Sequence, residues 1–538
     1  MKKLVSRFMA VLMAMTMILS MSMTAFAADA PKGTLTVNNT VAGKTLDLYQ
    51  IFTATKNEAG NVAYTLNSAY EGFFQSKISG ASTLTGEALS EKAYDYVKKQ
   101  VGPDGSNGAE FAKAILGWIL ENDTTVATTH KTATTTDGST VISDLAYGYY
   151  VVYPLGATDT STAPGNETVK SVASLVNVTD TTVTINMKSN YPTVVKKVND
   201  KNADDVNIGD EVTYTLTSKV PDMTGYTSYV FNFKDTLSAG LTFKEITSVT
   251  VGSGENVQNV TAGTGDNTYT LTQDGQNITI TMNNFLASNA NKAGQEIKVT
   301  YTATLNKDAV TGFDPNTNKA TVEYSNKPGT DDKGESEPSK VDVHTFNFTI
   351  FKYYLKGADK TGLANAEFEL YKANEAGDAA DENAKINIVD EGNGVYRQAT
   401  ADEAKVTGFT SAKIVSDDDG KVLVKGLDAG SYYLRETKAP EGYNKLLSDI
   451  KIEIKPVYDE TTGKLTSYSV DYTYNGTTTP GTAITTKDNS PEVAVENKTG
   501  AQLPSTGSKG ALMVTLAGIV LFGALTASKA LGKKKAKN

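Results

Sequence analysis

The sequence predicts a mostly β protein of three tandem immunoglobulin-like β-sandwiches, the first with a helical insertion. Three observations carry this. Short runs alternate with period two, as in Thr34-Leu-Thr-Val37, Thr182-Val-Thr-Ile185, Val212-Thr-Tyr-Thr-Leu216, Ile297-Lys-Val-Thr-Tyr301 and Thr321-Val-Glu-Tyr324. Gly, Asn and Asp interrupt these runs at short spacing, which favours sandwiches over a parallel sheet. The 538 residues suit about three domains plus accessory segments.

The elements follow in chain order. Met1–Ala27 opens with Lys2, Lys3 and Arg7, continues with an apolar run and ends in Ala25-Phe26-Ala27. That is the layout of a secretory signal peptide cut before Ala28. Residues 28–190 form the first domain. Its helical patch lies within Gly86–Glu121, where Ala93, Tyr96 and Val97, then Phe111, Ala112, Ile115, Leu116 and Ile119 recur at helical spacing. Breaks near Ser189–Tyr191 and Val343–Thr345 bound a middle domain, 191–344, and a third, 345–499. Thr-rich stretches at 124–140 and 477–486 read as loops, and Ser416-Asp-Asp-Asp-Gly420 as a polar turn rather than a calcium loop. Residues 500–507 are a linker, and 508–538 hold the uncharged run Ala511–Ser528, long enough to span a bilayer, with a Lys-rich tail behind it.

Composition excludes much chemistry. With 51 Lys and Arg against 61 Asp and Glu, the net charge of −10 argues against nucleic acid as a partner. Zero cysteines remove disulfides, thiolate metal sites and a Cys nucleophile. His130 and His344 are the 2 histidines, too few for an imidazole metal cluster and without a Ser/Asp context for hydrolysis. No metal and no cofactor is expected. Trp118 lies beside the apolar face of the helical patch and reads as core.

Strand phase singles out polar residues on apolar faces. Phe346, Phe348, Ile350, Lys352 and Tyr354 share one face; so do Tyr432, Leu434 and Glu436; so do Val493, Val495 and Asn497. A buried amine, acid and amide in one domain are costly unless they meet. In the middle domain Val194, Lys196 and Val198 share a face, Asp235 lies with Phe231 and Phe233, and Asn318 lies with Ala320, Val322 and Tyr324.

These residues also carry a resemblance. Leu503-Pro504-Ser505-Thr506-Gly507, then the apolar span and basic tail, resembles the sortase sorting signal of Gram-positive surface proteins. The resemblance implies cleavage between Thr506 and Gly507 and passage of Thr506 to an amine. Removing both ends takes away nine basic residues and no acidic one, leaving a net charge of −19. Leu434-Arg-Glu436-Thr-Lys-Ala-Pro-Glu-Gly-Tyr443 is similar to the acid-bearing box of Cna B-type domains, and Ala364–Leu370 to their strand after the lysine. That family implies an intramolecular Lys352–Asn497 isopeptide bond assisted by a protonated Glu436. The chemistry suits burial, which favours the neutral forms of amine and carboxyl group alike. Phe233–Phe243 and Asn318-Lys-Ala320 resemble the second domain of fimbrial backbone proteins, implying a Lys196–Asn318 bond assisted by Asp235, with Lys197 and Asn326 as rival members. Leu145–Tyr153 resembles the late strand where the others carry the acid, but offers Val and Tyr, so no bond is expected in the first domain.

Signal, domains and anchor together resemble a sortase-assembled major pilin. Such a subunit needs an acceptor lysine, and Val183-Thr-Ile-Asn-Met-Lys188 matches the spacing of the family's V-x-V-Y-P-K motif, with Asn186 and Met187 in place of Tyr-Pro. Phase turns Lys188 outward; Lys197 is the alternative. The implied partners are a pilus-specific and a housekeeping sortase, identical subunits, minor pilins, peptidoglycan and a host ligand, at the surface of a Gram-positive cell wall. A wall-anchored adhesin that never polymerises is the rival reading. A wall-anchored enzyme is disfavoured, because no cofactor motif or catalytic triad is present.

Overall fold

A computed structural model describes residues 31–102, 108–158, 172–187, 191–487 and 489–499. The expected signal peptide, Lys188, the sorting motif Leu503–Gly507 and the apolar span lie outside the described residues. Among the described residues no helix is long and apolar enough to cross a membrane.

The architecture is mostly β: the described residues form six sheets, two in each third of the chain. In the first third, Lys32–Thr40 pairs antiparallel with Gly138–Ala146 on one edge and parallel with Thr182–Asn186 on the other. Thr45–Lys56 runs through the facing sheet between Val62–Leu66 and Gly148–Pro154. The expected single helical patch is two helices, Gly86–Val101 and Gly108–Glu121, accompanied by short helices Glu71–Lys77 and Asp123–Val126. Their apolar faces, with Phe73, Phe74, Phe111 and Ile115, close over the outer side of the five-stranded sheet. Trp118 is half-buried there, its ring 6.1 Å from Tyr70 and 6.0 Å from Phe73.

The two Thr-rich stretches are not simply loops. The first contains the strand His130–Thr134, which pairs with Thr45–Lys56, and the second the strand Thr477–Thr479, which pairs with Leu465–Tyr474. Threonine is β-branched and takes a strand readily once a partner edge is present, a fact that its polarity conceals. His130 stacks on Tyr49 at 4.6 Å and lies 2.9 Å from Asp47 Oδ1, a packing role.

In the middle third, Phe231–Leu237 lies between Asn277–Met282 and Asn316–Ser325, and the facing sheet runs from Leu241–Val251 through Glu296–Leu305 and Glu211–Lys219 to Val195–Val198. In the last third, Phe346–Lys356 takes Lys421–Leu427 on one side and the parallel strand Glu492–Glu496 on the other. The opposing sheet carries Glu367–Ala373, Gly430–Lys438 and Ile450–Tyr458. Phe346, Phe348 and Ile350 are fully buried between these sheets, each worth roughly 1.5–3 kcal/mol in transfer terms.

The last two sandwiches touch through an acidic knot. Asp205 Oδ1 and Asp428 Oδ1 both accept from the Ala429 amide, at 3.1 and 2.8 Å, while Tyr458 donates to Asp205 Oδ2 at 2.7 Å. Burial, reinforced by Asp205 and then Asp210, pushes the Asp428 carboxyl up from 3.8 to about 8. The folded chain therefore holds a proton that the unfolded chain releases above its ordinary value, and stability falls as pH rises through that window. Thermal melting of the last two sandwiches should drop progressively from acid pH up to about 8. Asp428→Asn should flatten that slope; an unchanged slope in the variant would assign it to other groups.

Candidate functional site

In the third sandwich, phase and pairing assemble the set. Lys352 faces inward opposite Val495 in the parallel register, and the Asn497 amide donates to the Tyr353 carbonyl at 2.9 Å, seating Asn497 beside the lysine. Glu436 arrives from the facing sheet. The Lys352 and Glu436 side chains have no exposure, and Nζ lies 2.9 Å from Oε1, outside hydrogen-bonding geometry. Glu436 Oε2 accepts from the Leu446 amide at 2.7 Å and from Asn497 Nδ2 at 3.3 Å. Asn497 Nδ2 also donates to the Asn444 carbonyl. Burial lowers the Lys352 amine, with Glu436 acting the other way. Gly420 makes the approach possible: at φ +74°, a Cβ there would lie 2.2 Å from the Lys352 carbonyl oxygen.

The middle sandwich builds the same trio differently. Lys196 lies on the edge strand of one sheet; Asp235 and Asn318 lie on neighbouring strands of the other. Lys196 Nζ pairs with Asp235 Oδ2, both side chains without exposure. Burial lowers the amine and raises the acid, each opposed by its partner's charge. The centre of this set is Tyr301, which the sequence reading left out: its hydroxyl accepts from Lys196 Nζ at 2.6 Å and from Asn318 Nδ2 at 2.7 Å, and donates to Asp235 Oδ2 at 2.8 Å. Its signal was available, since Ile297, Val299 and Tyr301 share the buried face. The rivals stand apart. Lys197 points the other way, half-buried, donating to Asn202 Oδ1 at 2.6 Å, and Asn326 Oδ1 lies against Gly156.

Both arrangements hold a desolvated amine, a carboxyl group and a primary amide together, away from water. That is the equipment for an amine to displace ammonia from an amide with acid assistance. Among the described residues no group of His, Asp and Glu could hold a metal ion.

The fold and these buried sets define a protein of tandem β-sandwiches, two of which match known domain families over part of their length. Residues 208–328 match the family model of the Gram-positive pilin backbone subunit 2, Cna-B-like domain, and residues 354–467 the SpaA prealbumin-like fold domain. The first match spans Asp235, Tyr301 and Asn318, and the second spans Glu436. Fimbrial and pilus backbone proteins are among the relatives and solved structures that the chain resembles. The trypsin-resistant surface T6 protein of Streptococcus pyogenes serotype M6 is 24% identical over 60% of this chain and 59% of its own length. The fimbrial subunit type 2 of Actinomyces naeslundii is 27% identical over 61% of this chain and 58% of its own. The chain thus spans less than two thirds of the length of either relative. Among solved structures, the T6 backbone pilin of S. pyogenes covers 88% of this chain and 100% of its own at 17% identity and TM-score 0.46. The group B streptococcus pilus 2b backbone protein covers 58% of this chain and 99% of its own at 26% identity and TM-score 0.39.

Proposed function

We propose that this chain is the structural backbone subunit of a covalently polymerised, cell-wall-anchored pilus, stapled internally by Lys196–Asn318 and Lys352–Asn497 isopeptide bonds. The observation that carries the reading is the pair of buried amine–acid–amide sets, one in the sandwich that matches the pilin backbone model and one in the sandwich that matches the prealbumin-like fold domain. Burying an ionised lysine without exposure costs several kcal/mol, a cost that converting its amine into a neutral amide would remove. The reading divides the chain into domains at 28–190, 191–344 and 345–499, a division supported by the grouping of the described strands into sheets. A sortase acting at Leu503-Pro504-Ser505-Thr506-Gly507 would join Thr506 to the next subunit, and a housekeeping sortase would attach the fibre to peptidoglycan at the cell surface. Minor pilins and a host ligand complete the partners of this reading. A denaturing gel of surface extract tests it: a ladder of high-mass bands is expected, and one band at subunit mass would favour the unpolymerised adhesin.

A further inference from the structure

We infer that Tyr301 is a catalytic residue of the middle sandwich, relaying a proton between Asp235 and the departing nitrogen of Asn318. The inference rests on the proposed Lys196–Asn318 bond and adds a residue to its chemistry. The two sandwiches differ where it matters. In the third, Glu436 reaches the Asn497 amide nitrogen directly, at 3.3 Å, and the aromatic ring beside Lys352 is Phe368, without a hydroxyl. In the middle one the acid is one methylene shorter, and the hydroxyl of Tyr301 occupies the interval. It lies 2.8 Å from Asp235 Oδ2 and 2.7 Å from Asn318 Nδ2. The same oxygen is 2.6 Å from Lys196 Nζ, so one group touches all three participants.

The step balances. Neutral Lys196 forms a bond from Nζ to Cγ of Asn318, and the attacking nitrogen releases a proton to Asp235. Asp235 gives its own proton to the Tyr301 oxygen as the Tyr301 hydroxyl proton passes to Nδ2. The Cγ–Nδ2 bond then breaks and ammonia leaves, with Asp235 and Tyr301 restored. Burial and the neighbouring Asp235 hold the Tyr301 hydroxyl well above its ordinary value, so it stays protonated and serves as a carrier rather than a base. Asp235 Oδ1 and Asn318 Oδ1 have no hydrogen-bond partner, and the Tyr301 hydroxyl is hydrogen-bonded to both the acid and the amide.

The test times both links in the same full-length molecules after cell-free synthesis, by mass spectrometry of the linked tryptic peptides. Tyr301→Phe should slow the Lys196–Asn318 link by roughly 10²-fold or more while the Lys352–Asn497 link keeps its wild-type rate. The longer acid of Asp235→Glu, placed in the Tyr301→Phe chain, should recover much of the loss, which a purely structural defect would not allow. A wild-type chain timed in H₂O and D₂O gives a reading independent of any variant's folding: the middle link should show the larger isotope effect. Equal rates for wild type and Tyr301→Phe, or equal isotope effects for the two links, would overturn the relay alone. A wild-type chain without a linked Lys196–Asn318 peptide would overturn the bond and the relay together.

Discussion

The intact mass of residues Ala28–Thr506 should fall short of the sequence mass by two ammonia molecules. Each deficit should answer to its own acid. Glu436→Ala should restore one ammonia and leave Lys352 and Asn497 unlinked; Asp235→Ala should restore the other. A chain at full sequence mass would remove both bonds from the account. Stability should follow the masses. The Lys352–Asn497 link would tie the first strand of its sandwich to the last, Phe346–Lys356 to Glu492–Glu496. In the chain-entropy treatment of disulfides, closing loops of this order stabilises by ~4–5 kcal/mol. Glu436→Ala should therefore lower the melting temperature of the third sandwich by ten degrees or more and expose it to protease, with the middle sandwich unaffected.

Lys188→Arg should collapse the polymer ladder to monomer still attached to the wall, with both intramolecular links intact. Arginine keeps the charge but its guanidinium stays protonated, so it cannot act as the amine nucleophile. The alternation of Val183, Ile185 and Met187, which pack toward the core, predicts an outward Lys188. Lys196 faces inward and is engaged by Asp235, so it offers no free amine. A ladder that persists in Lys188→Arg and vanishes in Lys197→Arg would move the acceptor to Lys197, whose Nζ rests on Asn202. A ladder that survives the double variant would place the acceptor elsewhere and set aside the motif reading.

Much of both candidate sites was legible because strand phase is rigid. Side chains alternate strictly, so Lys352 had to point where Phe348 and Ile350 point, and Glu436 where Leu434 points; all five are buried. The same rule separated Lys196 from Lys197. It failed where the signal depends on a partner edge: the Thr-rich run after Asp123 reads as loop until Thr45–Lys56 offers its hydrogen bonds to His130–Thr134. The sequence reading also took two helices as one patch, although Gly102-Pro103 directly after Val101 is a helix-stop signal that could have separated them.

Composition, alternation and the buried amine, acid and amide positions were determined by the sequence alone, since each depends on local period and side-chain chemistry. Which sheets those positions meet across was decided by tertiary structure. The third sandwich sets Lys352 and Asn497 side by side on paired strands, with the acid facing them; the middle one holds Lys196 on one sheet and Asn318 on the other. Tyr301 gained its place for the same reason. Its phase marked it as inward, but only the packing of two sheets brings its hydroxyl within hydrogen-bonding distance of Lys196, Asp235 and Asn318. Phase is a property of one strand; a junction between four strands exists only once the sheets close on each other.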